Sequence, residues 1–157
     1  MKILDLDITR ACLNKISDAE IESFDATIWQ SIIPDKVRSP MLYRQDQIRR
    51  ETESLIYDYQ RQVKDKGLEL GRDHEALFED DIFWFGRAKD GVFPGYVNGD
   101  RMLIIGDAGV DMPIGLYYLQ GTGEEPMVVY FNDDLLWVQI ANSLDDFLSK
   151  IKLFDED

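Results

Sequence analysis

The sequence predicts an α+β domain: a mostly antiparallel sheet of about four to six strands, with helices packed chiefly on one side. Three observations carry this. Apolar residues recur at helical spacing through roughly the first 67 positions, short β-branched and aromatic runs follow, and a capped helical pattern closes the chain. With 157 residues there is room for one compact domain, 1–157, whose helical part covers about 1–80.

The first helix is announced by Ser17-Asp18-Ala19-Glu20. Ser17 caps free backbone donors, Glu20 returns the bond three residues on, and Ile16 and Ile21 are spaced for a hydrophobic staple. Ile21, Phe24, Ile28, Trp29 and Ile32 fall on one face, and Pro34 stops the run. A longer helix is expected next, with Ser39 as cap and Pro40 at the first helical position, where its missing N–H costs nothing. Ile48, Leu55, Ile56, Tyr59 and Val63 form its apolar stripe, and Gly67 is its natural stop.

The strand candidates are Ile82–Phe85, Met102–Ile105, Ile114–Tyr118 and Met127–Phe131, separated by Gly, Asp, Asn and Pro as in an antiparallel meander. Leu135–Ile140 fits either a last strand or the lead-in to the final helix. That helix is expected near Asn142-Ser143, with Asp145 and Asp146 in its favourable first turn and Phe147, Leu148 and Ile151 on its buried side.

Composition narrows the function classes. With 45% hydrophobic and 11% aromatic residues the chain can bury a core. Its 17 Lys and Arg against 31 Asp and Glu give a formal net charge of −14. Such a field repels nucleic acid and anionic membranes and attracts basic proteins, although acidity also serves solubility alone. Cys12 has no second cysteine to pair with, which points to a reducing compartment. The start, Met1–Asp7, lacks a secretion signal, and apolar runs are too short to span a membrane. A cytoplasmic location is expected.

Chemistry-bearing motifs are sparse. His74, in Gly71-Arg72-Asp73-His74-Glu75, has no nucleophile elbow to serve and reads as a surface residue. Asp107 and Asp111 around Gly109, and Asn132-Asp133-Asp134, lack the closely spaced ligands and closing Glu of a calcium loop and read as turns. Gly121-Thr122-Gly123 opens no helix and precedes Glu124 and Glu125, so it reads as a hairpin loop rather than a phosphate cradle. Trp84, Phe85, Tyr117, Tyr118, Tyr130, Phe131 and Trp137 lack the basic neighbours of a base-stacking surface and belong in the core. Neither a cofactor nor a metal site is expected. What remains is acidic: Glu79-Asp80-Asp81, Asp107, Asp111, Glu124-Glu125 and Asp133-Asp134, with the tail Asp155-Glu156-Asp157. Each run is ordinarily a solvated surface. Converging on one face, they would meet a basic partner by salt-sensitive attraction.

Met102–Gly109, the aromatic-ended strand to Tyr118 and Val129–Asp134 resemble the SUKH superfamily, the cell-wall-synthesis-regulator-like family. Trp137-Val138-Gln139-Ile140-Ala141-Asn142-Ser143-Leu144-Asp145-Asp146-Phe147-Leu148 is similar to its closing signature. There Ser143 caps the helix, and Trp137 and Phe147 anchor the strand–helix junction. The resemblance spans roughly residues 100–151, about a third of the chain. Val110 stands where the family commonly has Gly, and its Leu-Pro segment and Asn-Gly-Gly turn are not evident in the N-terminal half. Bacterial members are mostly immunity proteins against polymorphic toxins, and their shared residues are scaffold. The resemblance therefore implies a non-catalytic protein that binds a basic toxin domain, such as a nuclease, and occludes its site. Two other classes stay open: an adaptor or regulatory scaffold on the same fold, and an enzyme with unrecognised carboxylate chemistry.

Overall fold

The computed structural model describes residues 32–33, 41–43, 45–67, 85–109, 111–119 and 125–150. In chain order these give β1 (Met41–Leu42), α1 (Gln45–Asp65), β2 (Pro94–Gly95), a 3₁₀ turn (Gly99–Arg101), β3 (Met102–Asp107), β4 (Pro113–Tyr117), β5 (Met127–Phe131), β6 (Trp137–Ala141) and α2 (Leu144–Lys150). The six strands make one antiparallel sheet in the order β1-β3-β4-β5-β6-β2. The α+β class is thus as expected. The first helix over 17–34 lies outside the described residues except for Ile32, which is helical, and Ile33, which is buried. Ile82–Trp84 also lie outside them, and Phe85 sits in a turn.

The meander β3-β4-β5-β6 follows from its sequence. Each strand is a short apolar run, and side chains alternate between the two faces. Leu103, Ile105, Ile114, Leu116, Tyr118, Val128 and Tyr130 pack on one face, together with Leu144, Phe147 and Leu148 of α2. Met102, Ile104, Tyr117, Val129, Phe131 and Trp137 pack on the other, against Leu55, Tyr59 and Val63 of α1. The long helix therefore covers one face with Leu55, Tyr59 and Val63 and reaches the other cluster, which the short closing helix joins, through Ile48. Trp137 and Phe147 are both fully buried but belong to opposite faces, so they do not anchor one shared junction. The described aromatics expected in the core, Phe85, Tyr117, Tyr118, Tyr130, Phe131 and Trp137, are all there.

The start of α1 corrects the expectation at Pro40. Met41 and Leu42 pair with Asp107 and Gly106 of β3, so the backbone after Pro40 is committed to the sheet and the helix begins at Gln45. Gly106 makes that approach possible: a Cβ there would lie 2.3 Å from the Met41 carbonyl oxygen. The far end of α1 is as read. Gly67 adopts φ +71 and donates to the Lys64 carbonyl at 3.0 Å, the left-handed stop that glycine makes without strain.

The buried face of α1 contains one residue the apolar stripe omits. Thr52 is 1% exposed, and its Oγ1 accepts the Ile104 N–H at 3.0 Å. Ile104 stands at the edge of a β3 bulge, beyond the two residues that β1 pairs, so the helix supplies a partner the ladder lacks. A second polar link sits inside the same core. Tyr59 Oη donates to Asn98 Oδ1 at 2.7 Å, and the Asn98 N–H donates to Tyr117 Oη at 3.2 Å. Helix, 3₁₀ turn and sheet are thereby joined through one buried asparagine.

The closing helix caps as expected. Ser143 Oγ accepts the Asp146 N–H at 3.0 Å, and Asp146 Oδ2 accepts the Asn142 N–H at 3.1 Å. Lys150 Nζ lies 3.2 Å from Asp146 and donates to the Ile140 carbonyl at 3.1 Å, tying the helix back to β6. The Asn142 amide above all, then Lys150, holds the Asp146 carboxyl below its ordinary value.

Two outcomes follow. Thr52→Val keeps the side chain's shape but orphans the buried Ile104 amide, and is expected to lower the unfolding free energy by about 1–3 kcal/mol in urea denaturation. Asp146→Ala is expected to cost about 1 kcal/mol at neutral pH. Because the Asp146 pKa is depressed in the fold, its contribution is present above the ordinary carboxylate range and disappears as pH falls through the folded value. Wild-type and variant stabilities should therefore converge in acid.

Candidate functional site

Meander connectivity decides which acidic residues share an end of the sheet. The β3–β4 loop and the β5–β6 turn leave from the same end, while the β4–β5 connection leaves from the other. Asp107 and Asp111 are therefore brought to the same end as Asp133 and Asp134, with the two connections about 10 Å apart at the usual strand spacing. Glu125 lies at the opposite end. Glu79, Asp80, Asp81 and Glu124 fall outside the described residues.

The β5–β6 turn is held by asparagine, as its sequence suggests. Asn132 Oδ1 accepts the amides of both Asp134 and Leu136 at 3.0 Å, an Asx-type closure that leaves Asp133 and Asp134 on the outside. Arg87 Nη1 donates to the Asp134 carbonyl at 3.0 Å, bringing one cation to the rim of this turn. Leu135 then takes φ +61 and remains 38% exposed. A branched apolar side chain is unusual in that conformation. The result is an apolar tip beside two carboxylates.

The β3–β4 loop turns tightly. The Met112 carbonyl accepts from Ala108 at 2.9 Å, the Gly109 carbonyl accepts from Met112 at 3.2 Å, and exposed Asp111 takes φ +60. Asp107, the last residue of β3, differs from Asp111, Glu125, Asp133 and Asp134 in being half-buried. Tyr43 Oη donates to Asp107 Oδ2 at 2.6 Å, and the Gly109 amide also bonds this carboxylate. Burial nevertheless raises the Asp107 pKa, opposed by those two donors and reinforced by Glu51 of α1. Burial likewise raises the Tyr43 phenol, helped by Asp107 and Glu51, so Tyr43 stays a donor across the neutral range.

Tyr43, Glu51 and Leu135 were not singled out by sequence reasoning. Tyr43 and Glu51 read as ordinary helix-region residues, and Tyr43 meets Asp107 across 64 positions. Leu135 read as part of an apolar run. Its neighbours Asn132, Asp133 and Asp134 were the available signal, since they mark a turn that Leu135 must complete.

Among the described residues, no three His, Cys, Asp or Glu side chains are grouped to hold a metal ion, and no helix is long and apolar enough to cross a membrane. No protein-family model, curated protein or solved structure matches the chain.

If Leu135 is not required by the fold, relieving its left-handed backbone should be harmless to it. Leu135→Gly is expected to leave the unfolding free energy unchanged or raise it by up to about 1 kcal/mol, measured by urea denaturation.

Proposed function

We propose that this chain is a non-catalytic, protein-binding domain of the toxin-immunity kind. It binds a basic toxin domain, for which a nuclease is the best fit, and occludes that domain's site in the cytoplasm. The observation that carries the reading is the placement of the Asp107–Asp111 loop and the Asp133–Asp134 turn at one end of the sheet, with Leu135 exposed among them. The formal charge of −14 supports it, because a basic cleft is drawn to such a field over distances beyond direct contact. The residue pattern from Met102 to Leu148 supports the immunity role in particular.

Occlusion needs no group chemistry. Carboxylates at the sheet end pair with the Lys and Arg that would otherwise hold phosphates, and the apolar tip supplies desolvated contact between them. Such binding is steered by charge, so its on-rate falls as salt rises.

The test is affinity capture at low salt from source-cell lysate, using the tagged chain and an Asp111→Asn/Asp133→Asn/Asp134→Asn variant. The expected result is a basic toxin domain that elutes from the wild type with salt and is lost from the variant. A variant that retains the same partner with unchanged salt dependence overturns the proposed face. Recovery of a housekeeping protein in place of a toxin favours the adaptor class.

A further inference from the structure

We propose that Arg87 is a positioning residue for the tip of the acidic sheet end. Its bond to the Asp134 carbonyl locks the Asp134–Leu135 peptide, which keeps Leu135 left-handed and its side chain presented beside Asp133 and Asp134. Docking by Leu135 rests on the toxin-binding reading, whereas the backbone conformation is measured on the chain alone, so either can fail without the other.

The tip is fixed plane by plane. The φ and ψ of Leu135 are set by the planar peptide before it and the planar peptide after it. The peptide after it is held by Asn132, whose Oδ1 accepts the Leu136 N–H at 3.0 Å. The peptide before it is held at both ends. Its N–H, from Leu135, donates to the Asn132 carbonyl at 3.1 Å, and its carbonyl, from Asp134, accepts from Arg87 Nη1 at 3.0 Å. Asn132 acts from within the turn, but Arg87 acts across 47 positions. A left-handed residue closing so tight a turn is ordinarily glycine, and leucine has a steric reason to leave that conformation. Without Arg87, turning the Asp134–Leu135 peptide over breaks one bond; with Arg87 in place it breaks two.

The fold delivers Arg87 to this spot. Its N–H donates to the Gly95 carbonyl at 3.3 Å, and Gly95 pairs with Trp137 just past Leu135. Gly86 allows the approach: it takes φ +76, and a Cβ there would collide with the Gly95 carbonyl oxygen. A guanidinium also subtracts from the field that attracts a basic partner. What Arg87 adds to this face is therefore geometry, a leucine held ready, which spares a partner the cost of ordering it.

NMR on the isotope-labelled chain tests this. A left-handed φ brings a residue's amide proton close to its own Hα, so Leu135 should show a strong intraresidue NOE. Arg87→Met keeps an apolar stem and loses every donor. In that variant the Leu135 NOE should weaken severalfold and exchange of the Leu136 amide should quicken severalfold. The Phe147 amide, bonded to the Ser143 carbonyl, should keep its protection, because the Arg87 side chain belongs to neither core cluster. Glycine holds a positive φ without help, so adding Arg87→Met to Leu135→Gly should leave Leu136 exchange unchanged. A Leu135 NOE as strong in Arg87→Met as in the wild type, or equal quickening at Leu136 in both backgrounds, overturns the assignment.

Discussion

The meander strands carry large apolar side chains on both faces, so the sheet has to be covered twice. Leu103, Leu116 and Tyr130 point one way, and Ile104, Tyr117 and Phe131 the other; all are nearly or fully buried. A sheet with one wet face would show polar residues at alternate positions. The two described helices meet this demand unequally. The long α1 lays Leu55, Tyr59 and Val63 on one face, and the seven-residue α2 contributes Leu144, Phe147 and Leu148 to the other. Hydrophobic burial sets the layers, and the polar links within them set the register.

Those links are concentrated where the ladder is interrupted. β1 pairs only Asp107 and Gly106, which leaves the Ile104 amide without a strand partner on that side, and Thr52 reaches down from α1 to accept it. Asn98 joins Tyr59 of the helix to Tyr117 of the sheet in the same core. An unpaired amide in that setting would cost as much as several buried methylene groups. The helix position is thus fixed by hydrogen bonds as well as by shape.

The same connectivity that builds the core distributes the charge. Hairpin-linked strands alternate the ends from which their loops emerge, so Asp107 and Asp111 share an end with Asp133 and Asp134 while Glu125 goes to the other. Turn chemistry explains why these acids are present: Asn132 closes one turn with its side chain, and Asp111 tolerates a left-handed backbone in the other. It does not explain an exposed Leu135 in a left-handed conformation, and an apolar side chain kept there against its backbone preference is what a docking surface would use. Asp107 stands apart because Tyr43 ties it, half-buried, to the β1 edge.

Much of the architecture was legible from local pattern. The strands at 102, 114 and 127, the Gly67 stop and the Ser143 cap are each decided by residues within a turn or two of one another, which a linear reading captures. Leu135–Ile140 stayed ambiguous because an apolar run of that length fits strand and helix alike; pairing with β5 and β2 made Trp137–Ala141 a strand. Pro40 misled for a related reason. Its preference for a first helical turn is local, whereas Met41 and Leu42 answer to a partner strand some 65 positions away. The candidate site divides in the same manner. The sequence by itself determined the acidic charge, the turn residues and the absence of a recognisable catalytic motif. Only the tertiary structure decided which acids share an end, that Thr52 completes a strand edge, and that Asp107 meets Tyr43, because each depends on contacts between residues remote in the chain.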